Sequence, residues 1–165
     1  MDGNTKTGGR LTPPSIAERW FARGEELVRE SRYRESLHPL EQALSCLVLQ
    51  PEPPFLPTLR SCYGVALAHA RNDVARGRRL CEESVYLEPD NPELYINLAR
   101  VCVRAGRREL AVAAAETALA LAPGHAPATR MIGEMGLRSS PVFPFLGRGN
   151  PLNKYAGIIR HRLRT

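Results

Sequence analysis

Two prolines 34 residues apart, Pro89 and Pro123, constrain this chain more than any other feature of its sequence. Each follows a leucine two positions earlier, Leu87 and Leu121, and each separates runs whose apolar residues recur at helical spacing. Proline has no amide hydrogen and restricts the residue before it, so a helix ends at each site. Pro92 then opens a new helical run only three positions after Pro89. A chain that stops and restarts helices on a fixed period is predicted to be an all-α stack of similar units.

The clearest unit is 92–123, PELYINLARVCVRAGRRELAVAAAETALALAP. Tyr95 opens its first helix, Leu98 and Ala99 follow at three and four, and Cys102 continues the inward stripe. Gly106 supplies the turn, and the second helix presents Ala111, Ala115, Ala118 and Leu119 before Leu121 and Pro123. Small side chains at Ala99, Ala111 and Ala118 let two helices approach closely, with larger neighbours filling the holes beside them. An earlier unit repeats the plan with Trp20, Gly24, Leu27, Tyr33, Ser36, Leu40, Ala43 and Leu44. There Arg23 stands where Leu98 stands later, and the second helix is expected to run about a turn longer before Pro51. A middle unit supplies Tyr63, Gly64 and Leu67, then Cys81, Ser84 and Leu87, and fits only with one extra residue in the turn near Asn72 and Asp73. Trp20, Tyr63 and Tyr95 are expected at equivalent places. A last first-helix carries Ile132 and Gly133 where Leu98 and Ala99 stand, and the proline-rich segment 51–57 reads as a surface loop.

By these residues the chain resembles the tetratricopeptide repeat (TPR) family across about 17–138. The resemblance implies a right-handed α-solenoid of three hairpins, in units of about 17–50, 57–91 and 92–125, with an extra helix at 126–138. That repeat domain, 16–138, would be flanked by a disordered segment 1–15 and by a strap with a basic amphipathic helix over 139–165. Stacked hairpins leave a concave surface lined by the first helices, and the resemblance implies that this surface binds a peptide or helix of another protein. Residues one step off the packing stripe should face it: Phe21, Glu25 and Val28, then Ser61, Cys62, Val65 and His69, then Ile96, Asn97, Arg100 and Arg104, and finally Arg130 and Met131. Arginine's planar fork suits carboxylates, so the second half of the groove points to an acidic partner segment. Asn97 could hydrogen-bond an extended backbone through both donor and acceptor. Some family members hold the acidic carboxy termini of heat-shock chaperones with basic and asparagine residues, but Phe21, Glu25 and Cys62 stand here where such a clamp needs charge or amide. No clamp of that type is expected. Three-repeat secretion chaperones share the architecture, yet no motif selects them.

Charge adds a second theme. The formal net charge of +6 sits wholly in the last forty residues, where seven basic side chains face Glu134 alone. Residues 142–146 are apolar and interrupted by Pro144, as in an extended strap. Asn150 and Pro151 read as cap and first residue of a helix. Leu152, Tyr155, Ile159 and Leu163 form its apolar stripe, with Lys154, Arg160, His161, Arg162 and Arg164 largely off it. Such a helix can cap the end of the solenoid, dock on a partner or in the groove of another copy, or lie on an anionic membrane or nucleic acid. Tyr155, Ile159, Lys154, Arg160, Arg162 and Arg164 are the surface it would use.

Other classes lack their parts. There is no P-loop, GxSxG, GxGxxG or HExxH, and His38, His69, His125 and His161 lie on four separate elements. No catalytic residue, cofactor, metal or small-molecule substrate is expected. Cys46, Cys62, Cys81 and Cys102 have no CxxC spacing and read as buried thiols of a reducing, cytoplasmic compartment. The reading is therefore a non-catalytic adaptor or chaperone-like scaffold. Its alternative is an anionic-surface binder acting through the basic tail, and homo-oligomerisation is left open.

Overall fold

The computed structural model describes residues 14–48 and 52–135. Seven helices follow one another: α1 (Ile16–Arg29), α2 (Tyr33–Cys46), α3 (Leu56–Ala70), α4 (Val74–Leu87), α5 (Pro92–Arg104), α6 (Arg108–Leu121) and α7 (Ala126–Met135). Among the described residues there is no strand. The helices pair as α1/α2, α3/α4 and α5/α6, with α7 packed on α6, giving a solenoid of helical hairpins. Successive first helices also touch, α1 on α3 and α3 on α5. The central helix α3 is accordingly buried without interruption from Ser61 to Ala68.

Local chemistry sets the ends. Ser15 and Glu18 form a reciprocal box at the start of α1, the Ser15 hydroxyl accepting from the Glu18 amide at 3.2 Å and the Glu18 carboxylate from the Ser15 amide at 2.6 Å. The proline pair works as its spacing suggests: α4 ends at Leu87 before Pro89, then Asn91 caps α5 by accepting from the Glu93 amide at 3.1 Å, with Pro92 as first residue. Each hairpin turns through one left-handed residue, Ser31 (φ 62°), Asn72 (φ 58°) and Gly106 (φ 69°). Glycine meets that requirement without a side-chain penalty, and asparagine tolerates it better than most residues. Asn72 stands where Ser31 and Gly106 stand in the other hairpins, the extra residue of the middle unit lying between it and Gly64, and Asp73 after it caps α4 by accepting from the Arg76 amide at 3.2 Å.

Close approach within a hairpin depends on the small residues. A Cβ on Gly64 would stand 2.6 Å from the Gly77 carbonyl oxygen, and one on Gly77 would stand 2.4 Å from the Gly64 carbonyl oxygen. Gly24 meets Leu40 in the first hairpin, and Ala99 lies in one cluster with Ala111, Ala115 and Ala118 in the third.

Three expectations are corrected. Aligned on Gly24, Gly64 and Ala99, Trp20 and Tyr95 are equivalent but Tyr63 is not, because it directly precedes Gly64 while Trp20 and Tyr95 stand four positions before Gly24 and Ala99. Tyr63 instead points between the second helices, donating to Glu41 of α2 at 3.2 Å under the Arg76 guanidinium of α4, 5.8 Å from the ring centre. The helix α2 is no longer than α4 or α6, each having 14 residues. Nor is the proline-rich connection only surface: Phe55 stacks on Phe21 with centroids 5.2 Å apart and planes 9° apart, and Leu56 is buried. Aromatic area is recovered from water there, and Phe55, Leu56 and Pro57 form the start of α3.

Candidate functional site

The groove forecast from the sequence divides into residues that reach the surface and residues consumed by packing. Val65 and Ile96 are both 0% exposed, the former in the core around α3 and the latter in the cluster that also holds Ala128 and Ile132 of α7. Val28, Ser61 and Cys62 are buried as well, and so they line no open surface in this conformation. The physical reason is the direct contact between first helices, which uses the positions one step off the intra-hairpin stripe. Asn97 is 3% exposed, and its amide is spent internally: Nδ2 donates to Cys62 Sγ at 3.7 Å and Oδ1 accepts from Arg100 Nη1 at 3.0 Å. It is not presented to a peptide backbone. Burial in turn pushes the Cys62 thiol up to about 12, reinforced by Glu25 and opposed by Arg100.

What remains accessible runs from α1 to α5. Phe21 and Phe55 make a half-buried aromatic shelf, and Glu25 beside it pairs with Arg29 at 3.4 Å. His69 stacks on Tyr33 of α2, centroids 4.2 Å apart, and its Nε2 donates to the Arg100 carbonyl at 3.3 Å. Burial holds the His69 pKa below its ordinary value, Arg104 and Arg100 pressing the same way and the bond to the Arg100 carbonyl opposing them. Arg104 donates from Nε to the Ala68 carbonyl at 3.4 Å and from Nη2 to Asn72 Oδ1 at 2.9 Å. Neither Arg100 nor Arg104 has a carboxylate partner among the described residues. Arg130 is exposed on α7 and Met131 is half-buried against the second cluster. The tail residues Lys154, Tyr155, Ile159, Arg160, Arg162 and Arg164 lie outside the described residues.

Sequence reasoning brought Phe21, Glu25, His69, Arg100 and Arg104 to the surface shared by α1, α3 and α5. It missed Phe55, Tyr33 and Asn72. Asn72 left a trace, since a repeat that fits only with an extra turn residue marks a place where a side chain gains a special direction.

The hairpin geometry and its small-residue contacts agree with a family model, tetratricopeptide repeat, which matches residues 68–133. Over that span the chain resembles tetratricopeptide repeats. Solved TPR domains share the fold over most of the chain. The NMR structure of the first TPR domain of human RPAP3 superposes with a TM-score of 0.56 at 18% identity, covering 74% of this chain and 91% of that one. The first TPR of Spaghetti (RPAP3), bound to the HSP90 peptide SRMEEVD, gives 0.54 at 17% identity, covering 77% and 95%. PcrH in complex with the chaperone binding region of PopB gives 0.52 at 17% identity, covering 77% and 99%. No curated protein matches the sequence. Among the described residues no helix is long and apolar enough to cross a membrane.

Proposed function

We propose that this chain is a non-catalytic interaction module that holds a segment of another protein on the surface shared by α1, α3 and α5, as an adaptor or chaperone-like scaffold. The observation that carries the reading is the pair Arg100 and Arg104, cations of one helix face left without a carboxylate among the described residues. Likeness to a TPR domain solved with the HSP90 peptide SRMEEVD and to PcrH solved with the chaperone binding region of PopB supports it at the level of fold. The partner segment is acidic where it meets α5 and apolar where it meets the Phe21 and Phe55 shelf. Charge–charge contact fixes its direction, and aromatic contact adds area. The four free cysteines fit a reducing, cytoplasmic compartment.

Fluorescence anisotropy with a fluorescein-labelled hexaglutamate peptide tests the reading, with hexalysine as counter-probe. Hexaglutamate should bind the full chain and hexalysine should not, and the double variant Arg100→Glu/Arg104→Glu should weaken hexaglutamate at least tenfold with helix content unchanged. An unchanged affinity in that variant removes the groove reading.

A second reading is favoured by the concentration of positive charge after residue 125. Here residues 148–165 bind an anionic surface, and vesicles containing phosphatidylserine should retain the full chain but not a variant with Lys154, Arg160, Arg162 and Arg164 changed to glutamine. Equal retention of the two proteins excludes it.

A further inference from the structure

Arg100 and Arg104 differ from other arginines of the fold in the chemistry of what holds them. Arg23, Arg29, Arg32, Arg60, Arg71 and Arg78 each reach a glutamate. Arg100 donates instead to the side-chain amide oxygen of Asn97 at 3.0 Å, and Arg104 to that of Asn72 at 2.9 Å. A carboxylate orients a guanidinium and cancels its charge. An amide oxygen orients it and leaves the charge in place, because a neutral acceptor contributes a dipole only.

Both asparagines are themselves fixed. Asn97 is almost fully buried, and its other amide end is bonded to the Cys62 thiol across the α3–α5 contact. Asn72 is set by its backbone, the left-handed residue of the α3–α4 turn. The third first-helix thus takes its two cations from α5 and one acceptor from α5 itself, while the other acceptor comes from a turn in the preceding hairpin. Two arginines four apart on one helix face repel each other, and holding them there is unfavourable unless an anion arrives.

We propose that Asn97 and Asn72 are positioning residues that keep Arg100 and Arg104 as a preorganised, unneutralised pair for two carboxylates of a partner protein segment. The proposal rests on the groove reading above and adds which residues set its affinity and what spacing it accepts. Side chains four apart on a helix stand about 5–6 Å apart at Cβ. The matching acids are therefore four apart on a partner helix or two apart on a partner strand, where the separation is about 7 Å. Holding the guanidiniums in advance lowers the rotamer entropy lost on binding, so the asparagines act on affinity without touching the ligand.

The test uses the full chain, the hexaglutamate probe and parallel thermal melts. Asn72→Asp keeps the shape of the acceptor but adds a charge. The variant should melt at or above the parent temperature, because Arg104 gains an ion pair, while affinity for hexaglutamate falls at least tenfold. Asn72→Ala, which frees Arg104 but keeps its charge, should lose only about threefold, the scale of one side chain's rotamer restriction. A merely structural asparagine predicts that affinity follows stability, so Asn72→Asp binding as tightly as the parent overturns the proposal. In a double-mutant cycle, Asn97→Ala should add no further loss in an Arg100→Ala background, and additive losses overturn its assignment. If Asn97→Ala lowers helix content, the Asn72 variants carry the test alone. Retained affinity in Arg100→Glu/Arg104→Glu overturns the groove reading itself, whereas loss there with no response at Asn72 overturns only the positioning role.

Discussion

Substituting Gly77 by alanine sets helix propensity against helix approach, and the geometry decides the sign. Alanine is better than glycine inside a helix by about 1 kcal/mol, so propensity alone predicts a more stable protein. The new Cβ, however, would lie 2.4 Å from the Gly64 carbonyl oxygen and 3.0 Å from Ala68 Cβ. A carbon and a carbonyl oxygen rest at roughly 3.3 Å, which means α3 and α4 must separate by nearly 1 Å. A gap of that size forfeits about a quarter to a half of each dispersion contact across the interface, and overpacking of this kind costs about 1–3 kcal/mol. Backbone lies on the other side of the contact, so no flexible side chain can move aside, and the upper end of that range applies. Setting about 3 kcal/mol of lost packing against about 1 kcal/mol of gained propensity leaves a net destabilisation of about 2 kcal/mol. Gly133→Ala is the control. It makes the same exchange near the end of α7, where a Cβ would meet nothing within 4 Å among the described residues, and should stabilise by up to about 1 kcal/mol. Urea unfolding followed by far-ultraviolet circular dichroism reads both midpoints. A Gly77→Ala protein as stable as its parent, or both variants shifting in the same direction, would refute the close-approach reasoning.

Other outcomes follow from the burial and charge of particular groups. His69 has its pKa depressed in the fold, so the neutral form stabilises the native state fully above the unfolded value near 6.5; that contribution is lost as pH falls from there through the folded value, and His69→Gln should flatten this part of the stability–pH curve. Cys46 is half-buried, whereas burial pushes the Cys62 thiol up to about 12 and raises Cys81 further above its ordinary range, so a thiol reagent at pH 8 should label Cys46 first and the other two only at the rate of unfolding, as read by mass spectrometry of timed samples. Removing the Asp73 cap with Asp73→Ala should cost about 1 kcal/mol in the same urea experiment, since the Arg76 amide loses its acceptor.

The sequence by itself determined the period, the pairing of helices and the residues that let them touch. Those follow from spacing along one chain: Pro89 and Pro123 stand just past helix ends, Gly24, Gly64 and Ala99 allow close approach, and Gly106 turns a hairpin, whatever lies outside it. The adjacency of hairpins was less legible. Tyr63 looked like another Trp20 because aromatic character alone does not set register, and Val65, Ile96 and Asn97 looked like groove residues because a helical wheel shows which face they share but not what covers it. Only the tertiary structure decided that neighbouring first helices pack against each other directly, burying those positions and moving the accessible surface outward to Phe21, Glu25, His69, Arg100 and Arg104. The hold of Asn72 on Arg104 belongs to the same class, joining residues 32 positions apart whose meeting depends on how one hairpin leans on the next. Spacing fixes contacts inside a unit through covalent geometry, whereas the tilt between units is the sum of many weak contacts, and no single residue in the chain records it.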